Sequence, residues 1–130
     1  MTRRSLALAA GVLVSVLVLA VVALSGTQNA DAALDPVRVA PDTHKVAFEN
    51  PFVRVLEVNV PAGKVEPRHR HPHGLSVYLT DWEVKATIDG RPPQVTKRQA
   101  GTFAWSDAVV HTIENIGKTD GRVLRIELKQ

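Results

Sequence analysis

The chain has 130 residues, enough for one domain of ordinary size, and it contains no cysteine. Neither a disulfide framework nor a lipid-modified cysteine is possible, so an apolar core, a metal ion or a partner subunit must stabilise the fold. The 16 basic and 13 acidic residues give a net charge of +3. No basic stripe interleaved with aromatic side chains is present, and we therefore expect no nucleic-acid partner.

The N-terminus combines Arg3 and Arg4 with an apolar run that extends from Leu6 to Leu24. Basic residues before such a run predict export of everything that follows, and hence an extracytoplasmic location, periplasmic or secreted. Ala30-Asp-Ala32 fits the cleavage site of a signal peptide, whereas the length of the run suits a retained anchor. Both interpretations of residues 1–32 stay open: a cleaved signal peptide, or a membrane tether through residues 5–25.

Beyond this segment the sequence predicts a short connection and then a single β domain. Residues 33–45 are small, polar and proline-punctuated, typical of a linker or arm, and we expect the folded domain to occupy residues 46–130. Short β-branched runs alternate there with turn residues every eight to twelve positions, which is typical of an all-β sandwich or barrel. About eight strands are predicted, including 52–60, 75–80, 82–88, 94–97, 102–105, 109–115 and 122–130.

Three histidines stand close together before the second of these predicted strands. His69, His71 and His73 occupy alternate positions, so an extended backbone would place their side chains on one face. A fourth histidine, His111, lies inside a later strand-like run. Because imidazole is the commonest protein metal ligand, convergence of these side chains would create a metal site.

Two segments resemble the paired motifs of the cupin superfamily. Gly63, His69 and His71 match the first motif at its expected spacing. In the second motif Gly101 and Asn115 match, and His111 arrives one residue early. The resemblance covers about residues 46–128 and implies a single-domain cupin, a jelly-roll-type antiparallel β-barrel. It also implies a cavity that binds Fe, Mn, Ni, Zn or Cu through three histidines and a glutamate.

The sequence departs from the family pattern at the expected glutamate ligand, where Leu75 stands instead. Three alternatives stay open. His69, His71 and His111 form a three-histidine site; His73 adds a fourth nitrogen; or no metal binds. A neutral histidine set suits Zn²⁺, Fe²⁺ or Cu²⁺ better than Mg²⁺ or Ca²⁺.

The alternation of side chains also predicts the walls of a pocket for a small-molecule ligand. Phe103 and Trp105 have the same parity as His111, and Leu75 has the parity of the first histidines. Arg54 is the one charge expected to point inward. Two roles are open for it: a clamp for a substrate carboxylate, or a side chain that extends to solvent from the barrel end.

The leading functional hypothesis is a metal-dependent small-molecule enzyme of the oxidoreductase (dioxygenase) or isomerase type, with His69, His71 and His111 holding the metal. The alternatives are a non-catalytic module that binds a small ligand or a metal, and a degenerate cupin scaffold. Glu66, Glu83 and Glu114 are expected in solvent or on the outer face. Because cupins often dimerise through sheet edges, the resemblance also implies a homodimer.

Overall fold

The computed structural model of the protein describes residues 32–129. The export segment predicted for residues 1–32 therefore falls outside the described residues except for its last position, and both of its interpretations stay predictions. None of the helices formed by residues 32–129 has the length and hydropathy needed to cross a bilayer.

The described chain folds into nine strands preceded by one short helix. The elements are α1 (Pro36–Val39), β1 (His44–Glu49), β2 (Val53–Val60), β3 (Val65–His71), β4 (Gly74–Tyr78), β5 (Trp82–Ile88), β6 (Gln94–Arg98), β7 (Phe103–Ser106), β8 (Val109–Asn115) and β9 (Gly121–Leu128). β5 and β8 have the bounds that the sequence predicts. A turn at Asp89-Gly90 follows β5, where Gly90 has a φ of 73° that favours glycine.

Two antiparallel sheets make up the domain. The five-stranded sheet has the order β1-β2-β9-β4-β7, and the four-stranded sheet has the order β3-β8-β5-β6. Alternate side chains of both sheets form one buried apolar cluster. Its members are Leu56, Val58, Val60, Tyr78, Trp82, Val84, Ile113 and Val123. The prediction of an all-β fold is confirmed.

The segment predicted as a linker is ordered and belongs to the domain. Asp35 caps α1 by accepting a hydrogen bond from the backbone N–H of Val37 at 3.0 Å, and Pro36 opens the helix. The carbonyl of Leu34 accepts a 2.8 Å hydrogen bond from the N–H of Arg70 in β3. β1 then begins at His44, two residues before the predicted start of the domain.

The prediction that Leu75, Phe103 and Trp105 line the pocket is wrong. The chain changes sheets between β3 and β4 and again between β7 and β8, so the alternation does not carry over from the histidine strands. β3 belongs to the four-stranded sheet and β4 to the five-stranded sheet, so the parity of His71 does not carry over to Leu75. The same change separates β7 from β8. Phe103 and Trp105 consequently face outward, with 71% and 56% of their surface exposed.

Outward apolar side chains, including that of Trp105, form a continuous row across the five-stranded sheet. Strand registers place Phe48, Val55, Ile126, Leu75 and Trp105 next to one another, one from each strand. We call these five residues the outer row. The outer face of this sheet is thus more apolar than its position at the surface would suggest.

Two glycines allow strands to approach closely. A Cβ atom at Gly74 would lie 2.0 Å from the carbonyl oxygen of Ile126, and one at Gly121 would lie 2.1 Å from the Trp82 ring. Gly74 therefore lets β4 enter the sheet beside β9, and Gly121 makes room for the indole of the core.

Candidate metal centre

Four histidine side chains meet inside the domain, and three different strands supply them. His69 and His71 come from β3, His111 from β8 and His44 from β1. His69 and His111 are direct cross-strand neighbours. Their ring centroids are 4.6 Å apart, and those of His69 and His71 are 4.9 Å apart. The ring of His44 lies 5.0 Å from that of His69.

The ring nitrogens are close enough for a common ion. The nitrogens that His44, His69 and His71 present to one another all lie within 4.8 Å. The Nε2 atoms of His69 and His111 are 3.0 Å apart. Four nitrogens at about 2.0–2.1 Å from one ion are about 3.4 Å from one another in a tetrahedral arrangement. Small rotations of the rings therefore suffice for His44, His69 and His71 to share an ion, and His111 adjoins this group through His69.

The four histidines form one wall of a cavity of about 210 Å³. This volume is smaller than the roughly 300–1,000 Å³ that is usual for sites of drug-sized ligands, and it suits a small molecule. Apolar side chains such as Val84, Ile113 and Val123 line one part, and polar residues line the rest. The polar residues besides the histidines are Glu66, Ser76, Tyr78, Arg98, Ser106 and Arg125.

Comparison with solved structures identifies the architecture. A cupin domain from Bordetella pertussis superposes with a TM-score of 0.62 at 22% identity, over 67% of this chain and 92% of that one. An RmlC-like cupin from Methanocaldococcus jannaschii gives a TM-score of 0.55 at 16% identity, over 65% and 77% of the two chains. The chain has the cupin fold. The DMSP lyase DddQ from Ruegeria pomeroyi is also similar, with a TM-score of 0.51 at 17% identity, over 70% of this chain and 49% of the lyase.

Sequence comparisons add nothing further about this chain. No protein-family model matches the chain, and no curated protein matches it. Since the structural neighbours are less than 25% identical, their likeness extends to the fold, and the chemistry must be argued from the residues of the site.

Outer hydrogen bonds orient three of the imidazoles. The Nδ1 atom of His69 lies 2.7 Å from the carbonyl oxygen of Pro67, and that of His71 lies 2.7 Å from Oε1 of Glu127. The Nδ1 atom of His44 is 3.1 Å from the Thr43 hydroxyl oxygen. An Nδ1–H that donates outward leaves the Nε2 lone pair directed to the ring cluster, which is the arrangement of metal-ligating histidines.

Glu127 connects the histidines to an ion pair behind them. Its Oε2 atom accepts a 2.7 Å hydrogen bond from Nε of Arg54, and Nη1 of Arg54 donates to Asp35 at 2.8 Å. Burial raises the pKa of Glu127, and Arg54 opposes that rise. Arg54 was predicted to line the substrate pocket. The structure instead places its guanidinium behind the histidines, where it is paired with the carboxylates of Glu127 and Asp35.

Glu66 lies inside the domain, which corrects its predicted outer position. Only 2% of its surface is exposed, and its carboxylate accepts a hydrogen bond from the Thr43 hydroxyl. The Nδ1 atom of His44 is 3.3 Å from the same carboxylate. Burial raises the pKa of Glu66 to about 7. A bulge between Glu66 and His69 shifts the register of β3, so that both side chains face the interior.

The protonation states of the histidines suit metal binding. Burial lowers the pKa of His44 to about 3 and of His111 to about 2, and it also lowers those of His69 and His71. The neighbouring imidazoles add to the effect for His44, His71 and His111. Coordination requires neutral imidazole. Four neutral nitrogens at these separations fit a divalent ion of the Zn²⁺, Fe²⁺ or Cu²⁺ type.

The structure joins some of the predicted site residues and separates others. His69, His71 and His111 come together as expected. His73 lies apart from them, with its ring 5.8 Å from that of Trp105. Leu75, Phe103, Trp105 and Arg54 are not among the side chains that line the cavity.

His44 completes the cluster although the sequence interpretation assigned it to the linker. The signal that could have found it is the alternation of His44, Val46 and Phe48 with intervening residues, which is the pattern of a short strand.

Proposed function

We propose that this chain is an extracytoplasmic cupin that holds one divalent transition metal and acts as a metal-dependent enzyme on a small molecule, of the oxidoreductase or isomerase type. The observation that carries the proposal is the convergence of four imidazoles on one cavity. A metal ion bound there would supply a Lewis acid or an oxygen-activating centre.

Different residues of the chain would have different roles in this function. His69 and His71 hold the ion together with His44 and His111, while Glu127 and the Pro67 carbonyl keep two of the rings in place. The apolar wall of the cavity orients the ligand and keeps water from the ion. The similarity to DMSP lyase DddQ supports the proposal only in that this fold carries an enzyme in another organism.

Metal analysis of the full-length protein tests the site. We expect about one equivalent of Zn, Fe, Mn, Ni or Cu per chain in the wild type and strong depletion in His69→Ala and His71→Ala. His73→Ala is the matched control, because this histidine stands in the same segment but outside the cluster, and it should retain the metal. Equal metal content in all four proteins would contradict the proposal.

A non-catalytic metal-binding module is the second candidate, and the number of histidines favours it. Structural zinc sites are closed by four protein ligands, whereas catalytic sites keep a position open for water or substrate. X-ray absorption of the loaded protein separates the two: four nitrogen ligands without an oxygen ligand favour the module. Oxygen consumption and product analysis with diketones, thiols and phenols test the enzyme directly.

Export is the part of the proposal that rests on residues 1–32 alone. The intact mass of the protein recovered from its native cells distinguishes a chain cleaved near Ala32 from one that retains residues 5–25. Recovery of the protein in the cytoplasmic fraction would contradict the extracytoplasmic location.

A further inference from the structure

Arg125 is a buried cation that forms no ion pair with a carboxylate among residues 32–129, although the nearby charge of Glu127 acts on it. Only 4% of its surface is exposed, and it lines the same cavity as the histidines. Nη1 donates to the Ser76 hydroxyl at 3.3 Å, and Nη2 donates to the Pro72 carbonyl at 2.6 Å. Both acceptors are uncharged. Among residues 32–129, its Nε has no hydrogen-bond partner at all.

This arrangement is costly without a ligand. A guanidinium stays protonated in proteins, and burying it without a counterion costs several kcal/mol. Arg54 shows the contrast, since two carboxylates within 2.8 Å neutralise it. An unpaired buried donor such as Nε of Arg125 adds its own desolvation cost. An anion in the cavity would neutralise the charge of the guanidinium.

The charges around the cavity favour an anion over a neutral molecule. Arg98 adds a second guanidinium at the rim, where its Cζ lies 5.0 Å from the centre of the Tyr78 ring. Glu66 is the acidic residue of the lining. Two guanidinium groups, those of Arg98 and Arg125, therefore line the cavity against one carboxyl group.

We propose that Arg125 binds the carboxylate of a small organic acid and so fixes the substrate class of the site. A planar guanidinium matches a carboxylate in shape and charge, and the cavity of about 210 Å³ limits the acid to a few carbon atoms. The remainder of the molecule then lies against the histidine wall. The proposal rests on the function proposed above, because it assigns the ligand of the same cavity.

Titration calorimetry with paired probes tests the charge preference. Malonate and succinate are compared with their neutral diamides on the full-length chain, once after metal removal with a chelator and once after loading with Zn²⁺. We expect the metal-free wild type to bind a diacid at least about tenfold more tightly than its diamide. Equal affinities for acid and amide would overturn the proposal.

Substitutions then test whether Arg125 is responsible for the preference for diacids over diamides. Arg125→Lys and Arg125→Met should weaken diacid binding at least about tenfold, because both remove the planar donor set. Arg122→Gln is the matched control: it removes an exposed arginine of the same strand β9 and should leave the affinity unchanged. Unaltered diacid affinity in Arg125→Lys would overturn the assignment.

A second variant keeps the test decisive if the Arg125 variants do not fold. Ser76→Asp supplies a carboxylate beside the guanidinium from within the protein. We expect a higher melting temperature and loss of diacid binding, because the internal carboxylate competes for Arg125. Unchanged diacid affinity in a folded Ser76→Asp protein would refute the proposal.

The two proposals fail in different ways. Diacid binding that persists without metal, in a chain that never retains metal, would refute the metal-dependent enzyme and leave the Arg125 site intact. Metal retention with no preference for acids over amides would refute the Arg125 site alone.

Discussion

On β9, the usual distribution of polarity, with apolar side chains inside and polar ones outside, is reversed. On β9, Arg125 and Glu127 point inward and are almost fully buried. Their neighbours Leu124, Ile126 and Leu128 point outward and are half-exposed. The outer row continues this apolar surface across all five strands. The comparison teaches that the chain buries polar side chains in part of its interior and places apolar side chains on the outer face of the same sheet.

The interior itself is divided along the strands. β2 carries Arg54 near one end and the apolar Leu56, Val58 and Val60 beyond it, and β9 carries Glu127 and Val123 in the same way. The apolar cluster therefore packs the sheets together in one part of the interior, while ion pairs and hydrogen bonds around Glu127 hold another part. A buried polar group that loses its partner is costly, so substitutions around Glu127 should have the larger effects.

Removal of the Glu127 carboxylate should have the largest effect. Glu127→Ala leaves His71 without its outer partner and leaves Arg54 paired with Asp35 alone. Breaking a buried pair by removing one partner costs about 3–5 kcal/mol. Urea unfolding of the metal-free protein measures the loss.

The control for this substitution is Glu57→Ala, on the outer face of β2. Glu57 and Arg122 are both about half-exposed and 3.6 Å apart, so their interaction is weak and its loss should change the free energy of unfolding by about 0.5 kcal/mol or less. Equal losses in the two variants would mean that the polar interior contributes no more than the surface.

Acidification should destabilise the metal-free protein. Burial holds the folded-state pKa values of His44, His71 and His111 below 6.5, so below about pH 6.5 the unfolded state binds protons that the folded state does not. Glu66 and Glu127 oppose this, because their raised pKa values let the folded state bind protons over part of the same range.

More groups take up protons on unfolding than release them, because His69 acts in the same direction as the other three histidines. Each net proton taken up on unfolding lowers the free energy of unfolding by about 1.4 kcal/mol per pH unit, so stability should fall as the pH decreases from 6.5 to 4.5. Urea titrations at several pH values with a chelator present measure it. Stability that stays constant or rises over this range would contradict neutral, buried histidines.

The isosteric change Glu127→Gln isolates the orienting role of the carboxylate. The amide keeps the volume but removes the charge that holds the His71 Nδ1–H and the Arg54 guanidinium. Loss of such an outer partner usually weakens metal binding 10–100-fold. Competition with a chromophoric chelator gives the affinity. Glu57→Gln should leave that affinity unchanged, and an equally small effect at Glu127 would show that His71 needs no orientation.

A substitution in the outer row should have the smallest effect on stability. Trp105 is 56% exposed and contacts Leu75 as a cross-strand neighbour, so Trp105→Thr should cost less than about 1 kcal/mol of stability. Metal content and diacid affinity should both equal those of the wild type. Loss of metal in this variant would show that the outer face supports the site after all.

The sequence by itself determined much of the fold and part of the site. Alternation and turn residues located β2 and β4–β9, and alternation also put His69 and His71 on one face. These signals are local, because side-chain direction within one strand follows from backbone geometry alone. His111 was added to the predicted site by the resemblance to the cupin motifs.

Tertiary structure decided the rest. It placed Leu75 and Trp105 outside because the chain changes sheets between β3 and β4 and between β7 and β8, and alternation does not survive such a crossing. It also brought His44 and Glu127 to β3 from strands that lie more than 20 and more than 50 residues away along the chain. The packing of both sheets decides which buried charge has no carboxylate to pair with, as is the case for Arg125. No pattern within a single strand contains that information.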